Sequence, residues 1–172
     1  MARALLTLAA AGWLLAGCGG DPASEAGATA RGGWSATDAC QLLDKSMLAR
    51  AIGSEVTKAE LSGVTPGAGG RAAVSTCIYS LANGGSVGLL AREAPDADAT
   101  PQAIEAARTG GGVMAPAEDV AGLGRAALWS APMNSLQVFI DGRRYIAINL
   151  MNPPSGVEPK ALASAIAKAV RQ

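Results

Sequence analysis

Three cysteines, Cys18, Cys40 and Cys77, carry the widest chemical repertoire in this 172-residue chain. A thiol can attack an electrophile, ligate a metal, join a second thiol or accept an acyl group. No histidine accompanies them anywhere in the sequence. That excludes a Ser-His-Asp triad, a Cys-His pair and an imidazole metal site. Two thiols without histidine complete a tetrahedral zinc site only if carboxylates help, and a nucleophilic thiol lacks its usual base.

The remaining polar constellations are weaker. Asp96 and Asp98 offer two cation ligands but lack the glycine and distant glutamate of an EF-hand loop. Glu118 and Asp119 are adjacent acids, whereas glycoside hydrolysis needs carboxylates about 5–9 Å apart across a cleft. Aromatics make up only 3% of the chain, which leaves little platform for sugars or bases. The pairs Ser54/Lys58 and Ser164/Lys168 miss the S-x-x-K spacing of serine acyl-enzymes and read as structural. Residues 122–127 match G-x-G-x-x-A, but a polar stretch precedes them and a strand-like run follows, so they read as a glycine-rich entry to a strand. Arg143-Arg144 reads as an edge-solvating pair beside a hairpin tip. With 14 basic against 14 acidic residues there is no basic surface for nucleic acid. The expectation is a protein that is not an enzyme and holds no metal and no cofactor.

Cys18 acquires its meaning from what precedes it. Arg3 is followed by an uncharged apolar run over residues 4–16, the length of a signal-peptide core and too short to span a bilayer. The closing Leu15-Ala16-Gly17-Cys18 resembles the lipobox of bacterial lipoproteins, in which the cysteine takes a diacylglyceryl group and becomes the new N-terminus. The resemblance implies a signal peptide over residues 1–17, lipidation of Cys18 and attachment to the membrane by acyl chains alone. Gly19 and Gly20 follow the cysteine, and Asp comes only at position 21. By the same resemblance this implies the outer membrane if the host is Gram-negative. Residues 18–34, rich in Gly, Ala and Ser, read as the lipidated cysteine and a flexible tether. Residues 35–172 read as a single domain.

Export also decides the other two thiols. In an oxidising compartment an even pair, Cys40 and Cys77, is expected to form a disulfide.

The elements that position these residues follow from periodicity. Cys40, Leu43, Met47, Ala51 and Ile52 form a helical stripe over residues 35–53, capped by Ser35 or Thr37, with a break and second cap at Asp44-Lys45-Ser46. Residues 55–73 read as a short strand leading into a Gly/Pro-rich loop. Residues 74–81 and 86–92 flank Asn83-Gly84-Gly85 as a hairpin. Thr100-Pro101 opens a helix that ends at the glycines from Gly110. Residues 123–130 read as a strand. A second hairpin joins residues 136–140 to 145–150 through Asp141-Gly142; a two-residue loop there places Val138 opposite Tyr145. Leu162, Ala165, Ile166, Ala169 and Val170 define the apolar face of a last helix. The fold class is α+β, an antiparallel sheet packed by helices in the order α-β(3)-α-β(3)-α, with a pseudo-repeat of a helix followed by antiparallel strands.

Four short motifs carry a resemblance over residues 38–170. They are Asp38-Ala39-Cys40-Gln41-Leu42-Leu43, Ala51-Ile52-Gly53, Thr76-Cys77-Ile78-Tyr79, and the run Gly122-Leu123-Gly124-Arg125-Ala126-Ala127-Leu128-Trp129. Together they look like a group of small bacterial lipoproteins of unknown function. The resemblance implies a secreted, disulfide-closed α+β domain on a lipid tether and supplies no catalytic residues. Arg125 departs from the group, where that position is often acidic or polar. The functional expectation is a non-enzymatic binding or accessory module at the cell envelope, whose partner is an envelope protein or a small ligand. The alternative is a carrier of a small apolar ligand, and a histidine-free hydrolase ranks third.

Overall fold

The computed structural model describes residues 33–110 and 116–172; the expected signal peptide, Cys18 and most of the tether lie outside them. Four helices, α1 (Ala39–Leu42), α2 (Lys45–Ile52), α3 (Pro101–Thr109) and α4 (Pro159–Ala169), accompany seven strands. The strands are β1 (Val56–Thr65), β2 (Ala73–Leu81), β3 (Ser86–Glu93), β4 (Glu118–Asp119), β5 (Ala126–Ser130), β6 (Ser135–Phe139) and β7 (Arg144–Met151). They form one sheet in the order β1-β2-β3-β7-β6-β5-β4, antiparallel at every step. The fold is α+β, as the pattern of elements predicts. The first half is two short helices followed by a three-stranded antiparallel meander, and the second is α3 followed by a four-stranded one, against the expected one helix and three strands in each. The last strands of the two meanders, β3 and β7, pair at the centre.

Local chemistry explains the element ends. Asp38 caps α1 by accepting from the Gln41 N–H, in place of the expected Ser35 or Thr37. Asp44 accepts from Met47 N–H and starts α2, and Gly53 ends it in the left-handed conformation that glycine adopts without a Cβ clash. Between them Leu43 is extended, which makes the break expected at Asp44-Lys45-Ser46. Thr100 caps α3, Pro101 opens it and Gly110 closes it. β1 is ten residues long rather than short, because Gly63 at φ +62° lets the strand pass an irregularity in its pairing without stopping. β4, which has no periodicity to announce it, is a two-residue strand pairing with β5. The strand expected over residues 123–130 starts only at Ala126, behind a turn.

The main core lies between one face of the sheet and α1, α2 and α4. Leu89, Ile146 and Ile148 from the central strands meet Leu42, Leu48, Leu162 and Ile166 there, all nearly or fully buried. The buried stripe of α4 is Leu162, Ala163, Ile166 and Ala167, rotated from the expected one, since alanines mark both sides of this helix and carry little directional signal. α3 sits on the opposite face, over a second cluster of Ala99, Ala117, Leu128 and Phe139. Trp34, assigned by sequence to the tether, belongs to the main core at 2% exposure.

The second hairpin differs from its expected register by one residue. Val138 faces Ile146 and Phe139 faces Tyr145, so the loop has three residues rather than two. Asp141 causes this: its Oδ1 accepts the backbone N–H groups of both Arg143 and Arg144 at 2.8 Å, and Ile140 N–H then closes on Arg144 O. A one-residue slip moves a side chain to the other face of a sheet. Tyr145 therefore stands on the α3 face, edge-on to Phe139 with centroids 5.1 Å apart, and its hydroxyl donates to Gln137 Oε1. Burial pushes that hydroxyl's pKa up to about 12.

Candidate functional site

Cys40 and Cys77 are joined by a disulfide, with Cα atoms 5.1 Å apart. Such a bond persists in oxidising, extracytoplasmic compartments. It is the middle of three ties between α1 and the inward face of β2. Residues two apart on a strand share a face, so Ser75, Cys77 and Tyr79 align in one row. Ser75 Oγ accepts the Ala39 N–H at 2.9 Å, Cys77 bonds Cys40, and the buried Tyr79 hydroxyl donates to Leu43 O. Burial, then the carboxylates of Asp44 and Asp38, raise the Tyr79 pKa well above the usual phenol value. The chain end completes the clasp. Arg171 N–H reaches Leu42 O, while its guanidinium binds Gln41 O and Asp44 Oδ2. A four-residue helix is thus held at both ends by residues far away in sequence.

The other constellations read from sequence are dispersed. Glu118 and Asp119 point to opposite faces of β4, as neighbours on a strand must. Glu118 pairs with Lys160 of α4 at 2.6 Å and Asp119 with Arg108 of α3 at 2.7 Å, so they share no cleft. Asp98 is paired with Arg92. Lys58 pairs with Glu60, and Ser164 Oγ donates to Lys160 O within its own helix. Residues 122–127 form a turn into β5 with no following helix. Gly124 there has φ +54°, and a Cβ on it would stand 2.5 Å from Phe139 O, so close backbone approach explains that glycine. Arg143 and Arg144 do not solvate an edge, because β7 is the central strand of the sheet. Arg143 Nε donates to Ala94 O at 2.8 Å, and Arg144 Nε to Asp141 Oδ2 at 2.7 Å.

One concavity stands out at the end of the sheet where the β1–β2 loop, the segment after β3 and the β6–β7 turn converge. It measures about 410 Å³, within the roughly 300–1,000 Å³ of small-molecule sites. Its apolar lining includes Trp34, Ala36, Pro66, Ala73, Ala94 and Pro95, and its charged lining is Arg71, Arg143 and Glu93. The Arg144 guanidinium lies 5.5 Å from the Trp34 ring centroid, a cation–π contact. The Trp34 indole N–H is buried with no hydrogen-bond partner among the described residues. Arg143 faces Glu93 at 3.7 Å, whereas Arg71 pairs with no carboxylate among the described residues. Gly67 shapes the wall, since a Cβ on it would meet Ala73 N at 3.0 Å. Sequence reasoning missed this cleft; the only signals were a lone tryptophan at the tether's end and a glycine-rich loop.

Comparison with protein-family models, curated proteins and solved structures found no match to this chain. Among the described residues no helix is long and apolar enough to cross a membrane. The site therefore has to be read from its own chemistry. An apolar wall with an arginine rim can hold a ligand.

Asp141 beneath this cleft makes acid sensitivity testable. Burial works to raise its pKa, but the Arg143 and Arg144 N–H groups and the Arg144 guanidinium outweigh it and hold the carboxyl below the usual range. The Ser46 hydroxyl and the Met47 N–H do the same for Asp44. A carboxyl with a lowered folded pKa stabilises the fold above its unfolded value, about 3.9, and loses that contribution as pH falls through the folded value. Denaturation midpoints measured as pH falls from about 5 to about 2 are expected to drop, and Asp141→Asn to be less stable at neutral pH with a shallower acid loss. An unchanged acid profile in Asp141→Asn would contradict this assignment.

Proposed function

We propose that this protein is an exported lipoprotein, anchored through an acylated Cys18, whose α+β body acts as a non-enzymatic binding or accessory module at the cell envelope. The disulfide supports the location, and the lipobox resemblance of residues 15–18 supports the anchor. The observation that carries the module reading is the half-covered sheet. Among the described residues, helices α1, α2 and α4 fill one face, while α3 covers only the β5–β7 end of the other. On the uncovered part Ile78 is 40% and Met151 66% exposed beside Thr76, Gly88 and Leu90. A tether holding such a face near membrane-bound partners raises their effective concentration. Outer-membrane placement and kinship with the small lipoproteins of unknown function belong to the same proposal.

A carrier of a small ligand is the second reading, and the cleft beside Trp34 favours it. The deciding experiment for the first expresses wild type, Cys18→Ala and Ile78→Lys in the native host with labelled palmitate. The expected result is label and membrane retention in wild type and Ile78→Lys, and neither in Cys18→Ala. A cross-linked envelope partner recovered with wild type should be lost from Ile78→Lys. Palmitate incorporation by Cys18→Ala would overturn the anchor, and a partner retained by Ile78→Lys would overturn the assigned face.

A further inference from the structure

The cleft beside Trp34 combines three features that a merely structural crease does not need. Its wall is apolar although it opens to solvent, with Pro66, Ala73 and Pro95 facing the space and the buried Trp34, Ala36 and Ala94 behind them. A buried indole N–H in its lining has no partner among the described residues, and a buried unsatisfied donor costs about 1–3 kcal/mol. Its rim carries two arginines against one glutamate, and Glu93 already faces Arg143, which leaves Arg71 as the unmatched charge. From this we infer that the cleft binds a small amphiphilic carboxylate, with its apolar body against Pro66, Ala73 and Pro95, beside the buried Trp34, and its carboxylate at Arg71. Arg143 is held by Ala94 O and by Glu93, so its charge is matched within the rim. The inference deepens the carrier reading and rests on it, and it is independent of the lipid anchor and of any partner at the open sheet face.

Charge balance sets the ligand class. A neutral apolar ligand would gain nothing from the Arg71 guanidinium, and a cation would be repelled by it. An anion without an apolar body would leave the wall of Pro66, Ala73 and Pro95 wet. The cleft volume suits a molecule of a single ring with a short acid chain better than a polymer.

The test uses the full-length chain in detergent micelles, labelled with fluorotryptophan and followed by fluorine NMR, with Trp34→Phe assigning the Trp34 signal. Phenylbutyrate is the probe and phenylbutanol its uncharged counterpart. The expected result is a saturable shift of the Trp34 signal with phenylbutyrate and none at the core residue Trp129. Arg71→Ala, on an exposed loop where loss of the fold is not expected, should weaken phenylbutyrate binding about tenfold, the size of one lost charge-assisted hydrogen bond, and leave phenylbutanol unchanged. No saturable Trp34 shift with either compound would overturn both the inference and the carrier reading. Equal binding of the two compounds, insensitive to Arg71→Ala, would overturn carboxylate recognition while the carrier reading stood.

Discussion

Replacing Cys40 and Cys77 together by serine, or reducing their bond, is expected to lower the free energy of unfolding by about 3–4 kcal/mol. The bond closes a loop of 37 residues, and cross-linking a loop of that length removes conformational entropy from the unfolded chain by roughly this amount. A domain of this size is stable by only about 5–15 kcal/mol, so the loss is a large share of the total. The native structure itself should change little. Ser75 and Tyr79 still hold Ala39 and Leu43 on either side of the vacated bridge, and Arg171 still clasps the far end of α1. Urea titrations of the oxidised protein and the double serine variant, fitted with a common slope, measure the difference. A shift below about 1 kcal/mol would mean that those flanking contacts already restrain the unfolded chain, against the entropic account. The same sensitivity ties stability to an oxidising compartment: in a reducing one the protein would lose this contribution.

Ile148→Ala is expected to cost about 2–5 kcal/mol. Ile148 is fully buried on β7, opposite Leu89 of β3 on one side and Leu136 of β6 on the other. The two meanders of the sheet join only through the β3–β7 pair, so this side chain packs against both halves at their seam. Truncation there loses transfer free energy and leaves a cavity between the sheet and the helices packed on it. Met151→Ala, three residues along the same strand, is expected to change stability by less than about 0.5 kcal/mol, because that side chain is 66% exposed. Thermal and urea unfolding of the two variants gives the comparison. Equal effects at both positions would mean that the halves do not depend on this seam.

The two variants also separate what can be read locally from what cannot. Alternation along residues 145–150 identifies a strand with one buried face, but not that β3, some 55 positions earlier, is its neighbour. Turn and cap chemistry is short-range. The Asn83-Gly84-Gly85 hairpin, the Thr100-Pro101 start and the glycine stops at Gly53 and Gly110 all hold, because each depends on residues within one turn. The Asp141 loop shows the limit of that reading. An Asp-Gly pair suits a two-residue turn, and the Asp141 carboxylate, by taking two N–H groups, makes a three-residue one and turns Tyr145 over.

Composition and spacing alone determined the α+β class and the absence of histidine chemistry, and the Cys40–Cys77 pairing followed once the lipobox resemblance set Cys18 apart. These rest on periodicity, on the two thiols that remain and on which side chains exist at all. Only the folded chain decided that Trp34 is core, that Arg143 and Arg144 lead into the central strand of the sheet and not an edge, and that Glu118 and Asp119 part to opposite faces. It alone assembled the cleft, whose walls come from residues 34–37, 66–73, 93–95 and 143. Contacts between segments so far apart are set by strand order and register. Those depend on the packing of the whole core, which no window of neighbouring residues encodes.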